Sequence, residues 1–513
     1  MTGQTVYSSV EVGTTAGHPA VDASSADVEV RDLQSLVELL ERTIGSERVL
    51  TDRTALATYR SDGLVQHAVM PGLVVLPDSA DEVRTVVRAC YQHGVPWVAR
   101  GSGTGLSGGA VPVPGGVLIA LSRMRRIIDV NLDDGRIVVE PGVTNVEVSS
   151  AVAPTHFYPP DPSSQVVCSI GGNVAENSGG AHCFKYGFTT NYVMGLEVVL
   201  VDGEVVELGG DEPDQPGLDL TGAFVGSEGT LGVATRITLR IVPVPEDVRT
   251  LVAYFRSTDH AGQTVSDIVA SGIVPGAIEM MDNLAIRACE EATHAGYPLD
   301  AGAALIVELD GPARECDGLI GEVTALCERN GSTGIRVARD PDERALIWKA
   351  RKAAFAAMGR VAHDYYVQDG VIPRTKLPQV LRRIDRLSGE YGLKVANVFH
   401  AGDGNLHPLV CYDGRNDGEP QSAAELAARI LRACVDAGGS ITGEHGVGLD
   451  KRDFMPLMFD ESDLGAFHRL RCAFDPVQLV NPGKVMPTPR LCGEVPGPYR
   501  VHPLEESGLA ERF

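Results

Sequence analysis

The stretch ARGSGTGLSGG, Ala99 to Gly109, decides how the first half of this chain is read. Gly103, Gly105 and Gly108 satisfy the G-x-G-x-x-G spacing, which in a dinucleotide-binding turn needs a strand before it and a helix after it. Upstream, Pro96 to Arg100 is a short apolar run that suits a strand. Downstream comes AVPVPGG, Ala110 to Gly116, and Pro112 and Pro114 lack the N–H groups that a helix interior needs. The glycines therefore read as a loop between two strands, the second being Val117 to Leu121. Successive N–H groups free of Cβ crowding can still form a concave anion site. Taken alone, the motif leaves a diphosphate cradle and a plain surface loop equally open.

The gross numbers exclude several classes. A chain of 513 residues is too long for one compact core and implies two or three domains. No apolar run approaches the roughly 18 residues of a membrane span. Lys plus Arg number 44 against 68 Asp plus Glu, a net charge of −24 that argues against a nucleic-acid or anionic-membrane surface. The ten cysteines are scattered without a C-x-x-C pair, so no disulfide framework, zinc knuckle or iron–sulfur ligand set is expected. Met1 to Val10 has neither a basic start nor an apolar core, which predicts no signal peptide and a reducing cytoplasm. The Ser-, Thr-, Gly- and Ala-rich residues 1–30 predict a disordered leader.

Along the chain, Leu73 to Leu76 reads as a strand. Ser79 and Glu82 have the spacing of a capping box, and Val83, Val86, Val87 and Cys90 recur at helical spacing. Beyond the glycine loop the pattern turns strand-rich: Ile127 to Val130 and Arg136 to Glu140 around Asp134-Gly135, Val193 to Val201 and Glu204 to Leu208 around Asp202-Gly203, then Val233 to Val242. A second α+β unit follows Pro243 to Pro245. Its strands are Arg249 to Phe255, Ala303 to Glu308 and Gly334 to Ala338. Its helices are Asp259 to Ala270, Asp342 to Met358, Leu377 to Tyr391 and Ser422 to Asp436. A last helix, Glu461 to Phe474, is ended by Pro476.

Two further glycine stretches lie in the first half: PPDPSS from Pro159 leading into CSIGGNVAENSGG (Cys168 to Gly180), and GSEGTLG (Gly226 to Gly232). Several such loops beside small hydroxyl and amide residues suggest backbone wrapped around a large polar ligand, the alternative being ordinary tight turns. Far downstream, Val395 to Val410 reads as two strands joined by a turn at Gly402 to Asn405, with His400 and His407 at its mouth. GEHG, Gly443 to Gly446, supplies a carboxylate and another imidazole. Two histidines and a glutamate form a plausible site for zinc, manganese or iron with open positions for substrate. A single histidine in such a turn is more often a hydrogen-bonded core residue.

Together, ARGSGTGLSGG, GGNVAENSGG, GSEGTLG, DYYVQDGVIPR (Asp364 to Arg374), VFHAGDGNLHP, GEHGVG and NPGK (Asn481 to Lys484) resemble the FAD-linked 2-hydroxy-acid dehydrogenases. That family includes bacterial glycolate oxidase flavin subunits and D-lactate and D-2-hydroxyglutarate dehydrogenases. The resemblance runs from about Leu50 to Val485. It implies an α+β fold: a non-Rossmann FAD-binding domain of the vanillyl-alcohol-oxidase type over 31–245, a substrate domain with the metal hairpin over 246–440, a segment at 441–490 completing the active site, and a tail at 491–513.

It implies pyrophosphate contacts at Arg100, Gly101, Ser102, Gly103, Thr104, Gly105, Ser107 and Gly108. Contacts flanking the flavin and ribityl chain fall to Pro160, Asp161, Ser163, Gly171, Gly172, Asn173, Asn177, Ser178 and Gly180, and further cofactor contacts to Glu228, Gly229, Gly232 and Asn481. Relatives with covalent flavin commonly carry a histidine in the pyrophosphate loop; Ser102 and Thr104 stand here, implying non-covalent FAD. His400, His407 and Glu444 match the metal ligands, His445 the catalytic histidine, and Arg351 the arginine that receives the substrate carboxylate. Phe355 and Leu409 stand where hydroxyglutarate enzymes carry polar residues, which favours a small acid, glycolate ahead of D-lactate. The implied partners are the 2-hydroxy acid and an iron–sulfur or quinone-linked electron acceptor, in a homo-oligomer or hetero-complex. The implied location is cytoplasmic, or peripheral to the inner membrane through those partners. Rival readings are a flavin-binding relay subunit without chemistry of its own and an NAD-linked dehydrogenase; the prolines after Gly109 disfavour the latter.

Overall fold

The computed structural model describes residues 33–212 and 216–487, so the leader at 1–30 and the tail at 491–513 lie outside the described residues. Four strands form the first sheet in the spatial order Val49–Leu50, Leu73–Val75, Val117–Ala120, Trp97–Arg100. Leu73–Val75 and Trp97–Arg100 both run parallel to Val117–Ala120. The helix Ala80–His93 supplies the crossover that parallel pairing requires. Only half of its expected capping box forms. Ser79 Oγ accepts from the Glu82 N–H, but the Glu82 carboxylate accepts from Asp78 N–H and Arg48. The stretch ARGSGTGLSGG leaves this sheet at Arg100 and returns at Val117 without a helix, as the prolines predict.

Five strands form the second sheet in the order Ile127–Asn131, Arg136–Val139, Val233–Arg240, Val193–Val199, Val205–Gly209, all neighbours antiparallel. One reading is corrected here. The glycine stretch after Cys168 is not loop throughout: Ile170–Glu176 is a short helix, capped by Ser169 Oγ and closed by Asn177 at φ 52°. Packing overrides propensity, because a Cβ on Gly171 would lie 2.6 Å from Pro141 Cβ and bar the close approach.

The third sheet has nine strands and carries apolar side chains on both faces. Leu251, Ala253 and Phe255 of Asp247–Phe255 enter one core, and Val252 and Tyr254 enter the other. The strand Ala277–Asp282 and the helices Asn283–Thr293 and Ala313–Arg329 add to the elements expected from sequence. The helix expected over Asp342 to Met358 divides into Pro341–Lys352 and Ala354–Ala357. The hairpin arms are Val395–His400 and, after the Gly404 turn at φ +84°, Asn405–Leu406 and Pro408–Tyr412, interrupted at His407. Near the end of the described chain, Asn481 N–H donates to Trp97 O, which brings the C-terminal segment back to the first sheet. Eight described cysteines are buried free thiols. Among the described residues no helix is long and apolar enough to cross a membrane.

Candidate active site

The glycine loops and the histidine–carboxylate group, far apart in sequence, line one cavity. Its wall is built from Arg100, Gly101, Ser102, Gly103, Thr104, Gly105, Ser163, Gly171, Gly172, Asn173, Ser178, Glu228, Gly229 and Gly232, and His407, Glu444, His445 and Phe355 close one side. Close approach explains the glycines. A Cβ on Gly101 would lie 2.1 Å from Ser169 Oγ, and one on Gly103, at φ +69°, would lie 2.2 Å from Arg100 Nη2.

Other expected contact residues support the wall without lining it. The Ser107 carbonyl accepts from the Leu449 and Asp450 N–H groups, and Gly108, at φ +79°, packs against Leu449. Pro160 O accepts from Asn145 Nδ2, and Asn177 Oδ1 accepts from Thr190 N–H. Gly180 packs on Asp161, whose carboxylate holds His182 Nδ1 at 2.9 Å. Asn481 Nδ2 donates to Gly109 O and Glu228 O, at 3.0 and 2.9 Å, and so ties two glycine loops together. Arg100 lines the cavity by position, yet its guanidinium donates to Ser61 O at 2.7 Å and lies over the Tyr59 ring beneath the loop. Asn173 Nδ2 is buried without a hydrogen-bond partner, and the glycine wall leaves backbone uncovered around it. An orphaned donor in a glycine-lined cavity fits a large cofactor that carries hydrogen-bond acceptors.

His400 and His407 both turn Nε2 to Glu444 Oε1, at 3.3 and 3.1 Å, and the three ligand atoms lie within 4.8 Å of one another. That convergence fits a divalent ion. Behind it, His400 Nδ1 donates to Glu279 Oε1 at 2.6 Å, which orients the ring. Burial opposes charge on His400, but the carboxylates of Glu279 and Glu444 outweigh it and hold its pKa well above the usual value. The same contest runs the other way at Glu444: burial raises it, and the two imidazoles pull it well below the usual carboxylate range. A second grouping of Asp369, His407 and His445 is equally compact. Asp369 accepts through Oδ2 from the N–H groups of Gly443, Glu444 and His445, from Thr442 Oγ1 and from Lys451 Nζ, while its Oδ1 lies 3.8 Å from His407 Nδ1. It positions the GEHG loop instead.

His445 stacks on His407 with ring centroids 4.9 Å apart and planes at 13°. Burial lowers its pKa to about 4, so it is neutral at physiological pH, and its Nδ1 has no hydrogen-bond partner. Arg351 does not line the cavity. It is buried, with Nη2 2.6 Å from Glu279 Oε2, and its Nε has no hydrogen-bond partner. Phe355 faces His407 across 6.1 Å between ring centroids, whereas Leu409 is buried in the sheet core away from the cavity. Glu279, Asp369 and Glu176 were not singled out in the sequence. The signal for Glu279 was a lone carboxylate in the otherwise apolar run AIEMM.

A cofactor cavity between glycine loops and a histidine–carboxylate cluster, in a mixed α/β fold, is the arrangement expected of an FAD-dependent oxidoreductase. The fold is shared with substrate-bound p-cresol methylhydroxylase at a TM-score of 0.76 and 19% identity, covering 88% of this chain and 96% of that one. Residues 71–209 match the FAD binding domain model, and residues 244–485 match that of FAD linked oxidases, C-terminal domain. The chain is 48% identical to glycolate oxidase subunit GlcD of Escherichia coli K12, over 94% of this chain and 96% of the relative. It is 36% identical to the Bacillus subtilis protein of the same name, over 87% and 96%, and 31% identical to a probable mitochondrial D-lactate dehydrogenase of Danio rerio, over 88% and 92%. This chain belongs to the FAD-linked oxidase family.

Proposed function

We propose that this oxidoreductase converts glycolate to its 2-oxo acid: non-covalently bound FAD would take the Cα hydride, and its two electrons would then pass to a separate acceptor subunit. The observation that carries the reading is His445, neutral and stacked on His407, at the edge of the glycine-lined cavity. His445 takes the hydroxyl proton, and Arg351, buried against Glu279 outside the cavity lining, would have to turn toward the substrate to pair its carboxylate. His400, His407 and Glu444 hold a divalent ion, zinc, manganese or iron, which when bound supplies Lewis acidity to the hydroxyl. The Escherichia coli relative is named as a subunit, which supports a complex, and the acceptor proposed within it is iron–sulfur or quinone-linked. The test is anaerobic flavin bleaching with glycolate and with D-lactate. Faster bleaching by glycolate is expected; bleaching by neither acid overturns the reading and leaves a relay subunit.

Three outcomes follow from the site. Acid or heat should release intact FAD, because no histidine stands between Gly101 and Gly109; flavin that precipitates with the chain contradicts this. His407→Ala should lower metal content and turnover together while FAD stays bound, since the ligands and the glycine loops belong to different segments. Elemental analysis and flavin absorbance read both quantities on one sample. Phe355→Ala should enlarge the substrate end of the cavity and shift kcat/KM toward longer 2-hydroxy acids by about tenfold relative to glycolate. An unchanged ratio across a chain-length series would place the specificity wall elsewhere.

A further inference from the structure

The cavity holds one carboxylate for which the chemistry above has no use. Glu176 ends the helix Ile170–Glu176 and lines the cavity. Its side chain is wedged between two glycine segments: a Cβ on Gly109 would lie 2.8 Å from Oε1, and one on Gly446 would lie 2.3 Å from Oε2. That same point at Gly446 is 3.0 Å from Glu228 Oε1, so the two carboxylates meet there. Glu228 is well supplied with donors, accepting from Val447 N–H at 2.7 Å and Gly448 N–H at 2.6 Å. Glu176 Oε2 is buried with no hydrogen-bond partner, and no basic side chain forms an ion pair with Glu176 among the described residues. The two buried lysines nearby are committed elsewhere. Lys484 Nζ donates to Val111 O, Asn481 Oδ1 and Gly109 O, and Lys451 Nζ donates to Asp369 and Thr442.

Two carboxylates sharing a buried site do not both ionise, and the N–H donors favour the charge on Glu228. Burial pushes the Glu176 carboxyl well above the usual range; the charges of Glu228 and Asp62 add to this, and Lys451 and Lys484 oppose it. An ionised Glu176 beside Gly105 and Gly109 would repel an anionic diphosphate, whereas a protonated one presents a donor to it. We infer that Glu176 stands in the folded protein as a neutral carboxylic acid and donates a hydrogen bond to an acceptor atom of the bound FAD. This assignment rests on FAD binding alone and is independent of the metal, the base and the substrate.

The experiment compares the parent with Glu176→Gln, each as apoprotein and FAD-loaded at neutral pH, by infrared difference spectroscopy. The parent should show the C=O stretch of a protonated carboxyl that Glu176→Gln lacks, and the band should move when FAD is added. In parallel, FAD is titrated into the apoproteins by flavin fluorescence. Glu176→Gln keeps a donor of the same shape and should hold FAD within about threefold of the parent, while Glu176→Leu should weaken it about tenfold. The assignment is overturned if the carboxyl band is missing, if FAD leaves it unmoved, or if Glu176→Leu binds FAD as tightly as the parent. Should Glu176→Leu fail to fold, the two infrared results on parent and Glu176→Gln decide the matter alone.

Discussion

His445→Ala should reduce flavin about 10²–10⁴-fold more slowly than the parent at saturating glycolate, the contribution typical of a positioned general base. The expectation rests on three features of the side chain. It is neutral, its Nδ1 is unpaired, and it stacks on His407 at the cavity wall. Its backbone N–H is held by Asp369 at 2.9 Å, so truncation beyond Cβ leaves the loop anchored. Metal content should therefore persist, and measuring it separates loss of the base from loss of the neighbouring Glu444 ligand. Arg351→Ala should behave differently: with the carboxylate anchor gone the apparent dissociation constant rises more than the limiting rate falls, and metal content on the same sample separates this from the loss of its ion pair with Glu279, which orients His400. Anaerobic stopped-flow reduction gives both quantities for each variant. If His445→Ala reduces flavin at the parent rate, the base is elsewhere. Tyr366 is a poor substitute, because its hydroxyl donates to Asp450 and burial holds its pKa far above the usual value. Tyr365 or hydroxide on the metal would then come first.

What the sequence made legible here was local chemistry, and what it hid was distance. Pro112 and Pro114 were enough to exclude the dinucleotide helix, since no packing can restore a missing N–H. Leu377–Tyr391, with its clean apolar period, and Glu461–Phe474, closed by Pro476, carried their own bounds. By contrast, Ala277–Asp282 is buried along its whole length, so it shows no alternation, and its Met and Glu residues are weak strand formers. Ile170–Glu176 holds two glycines, and its Ser169 cap and close seat against Pro141 hold it as a helix. In the site, the motifs located the cluster of His400, His407, Glu444 and His445. The motifs could not show that Asn177, Gly180 and Asn481 brace the wall from behind. Nor could they show that Glu279, 121 residues before His400, joins it to Arg351.

Asp369→Ala should be the most damaging single change to the fold around the site. Asp369 lies in the motif DYYVQDG, fully buried, and holds together a loop from another part of the chain. Three backbone N–H groups, of Gly443, Glu444 and His445, lie 3.0, 3.2 and 2.9 Å from its Oδ2, and Lys451 Nζ lies 3.2 Å away. Removing the carboxylate leaves a buried ammonium unpaired, which costs about 3–5 kcal/mol, and orphans the donors as well. For a unit of this size that corresponds to a fall in unfolding temperature on the order of 10 °C. Asp369→Asn separates the two contributions, because the amide oxygen still accepts from the loop but no longer neutralises Lys451. Its expected loss is intermediate. Asp369→Ala with Lys451→Met should recover the part due to the unpaired charge and leave the part due to the orphaned N–H groups. Calorimetric scans of the four proteins, each with its metal content measured, test the ordering. If the double variant is no more stable than Asp369→Ala, Lys451 contributes nothing through its charge and the loop hydrogen bonds alone set the cost. If Asp369→Ala unfolds at the parent temperature, the carboxylate is not what holds the GEHG loop in place.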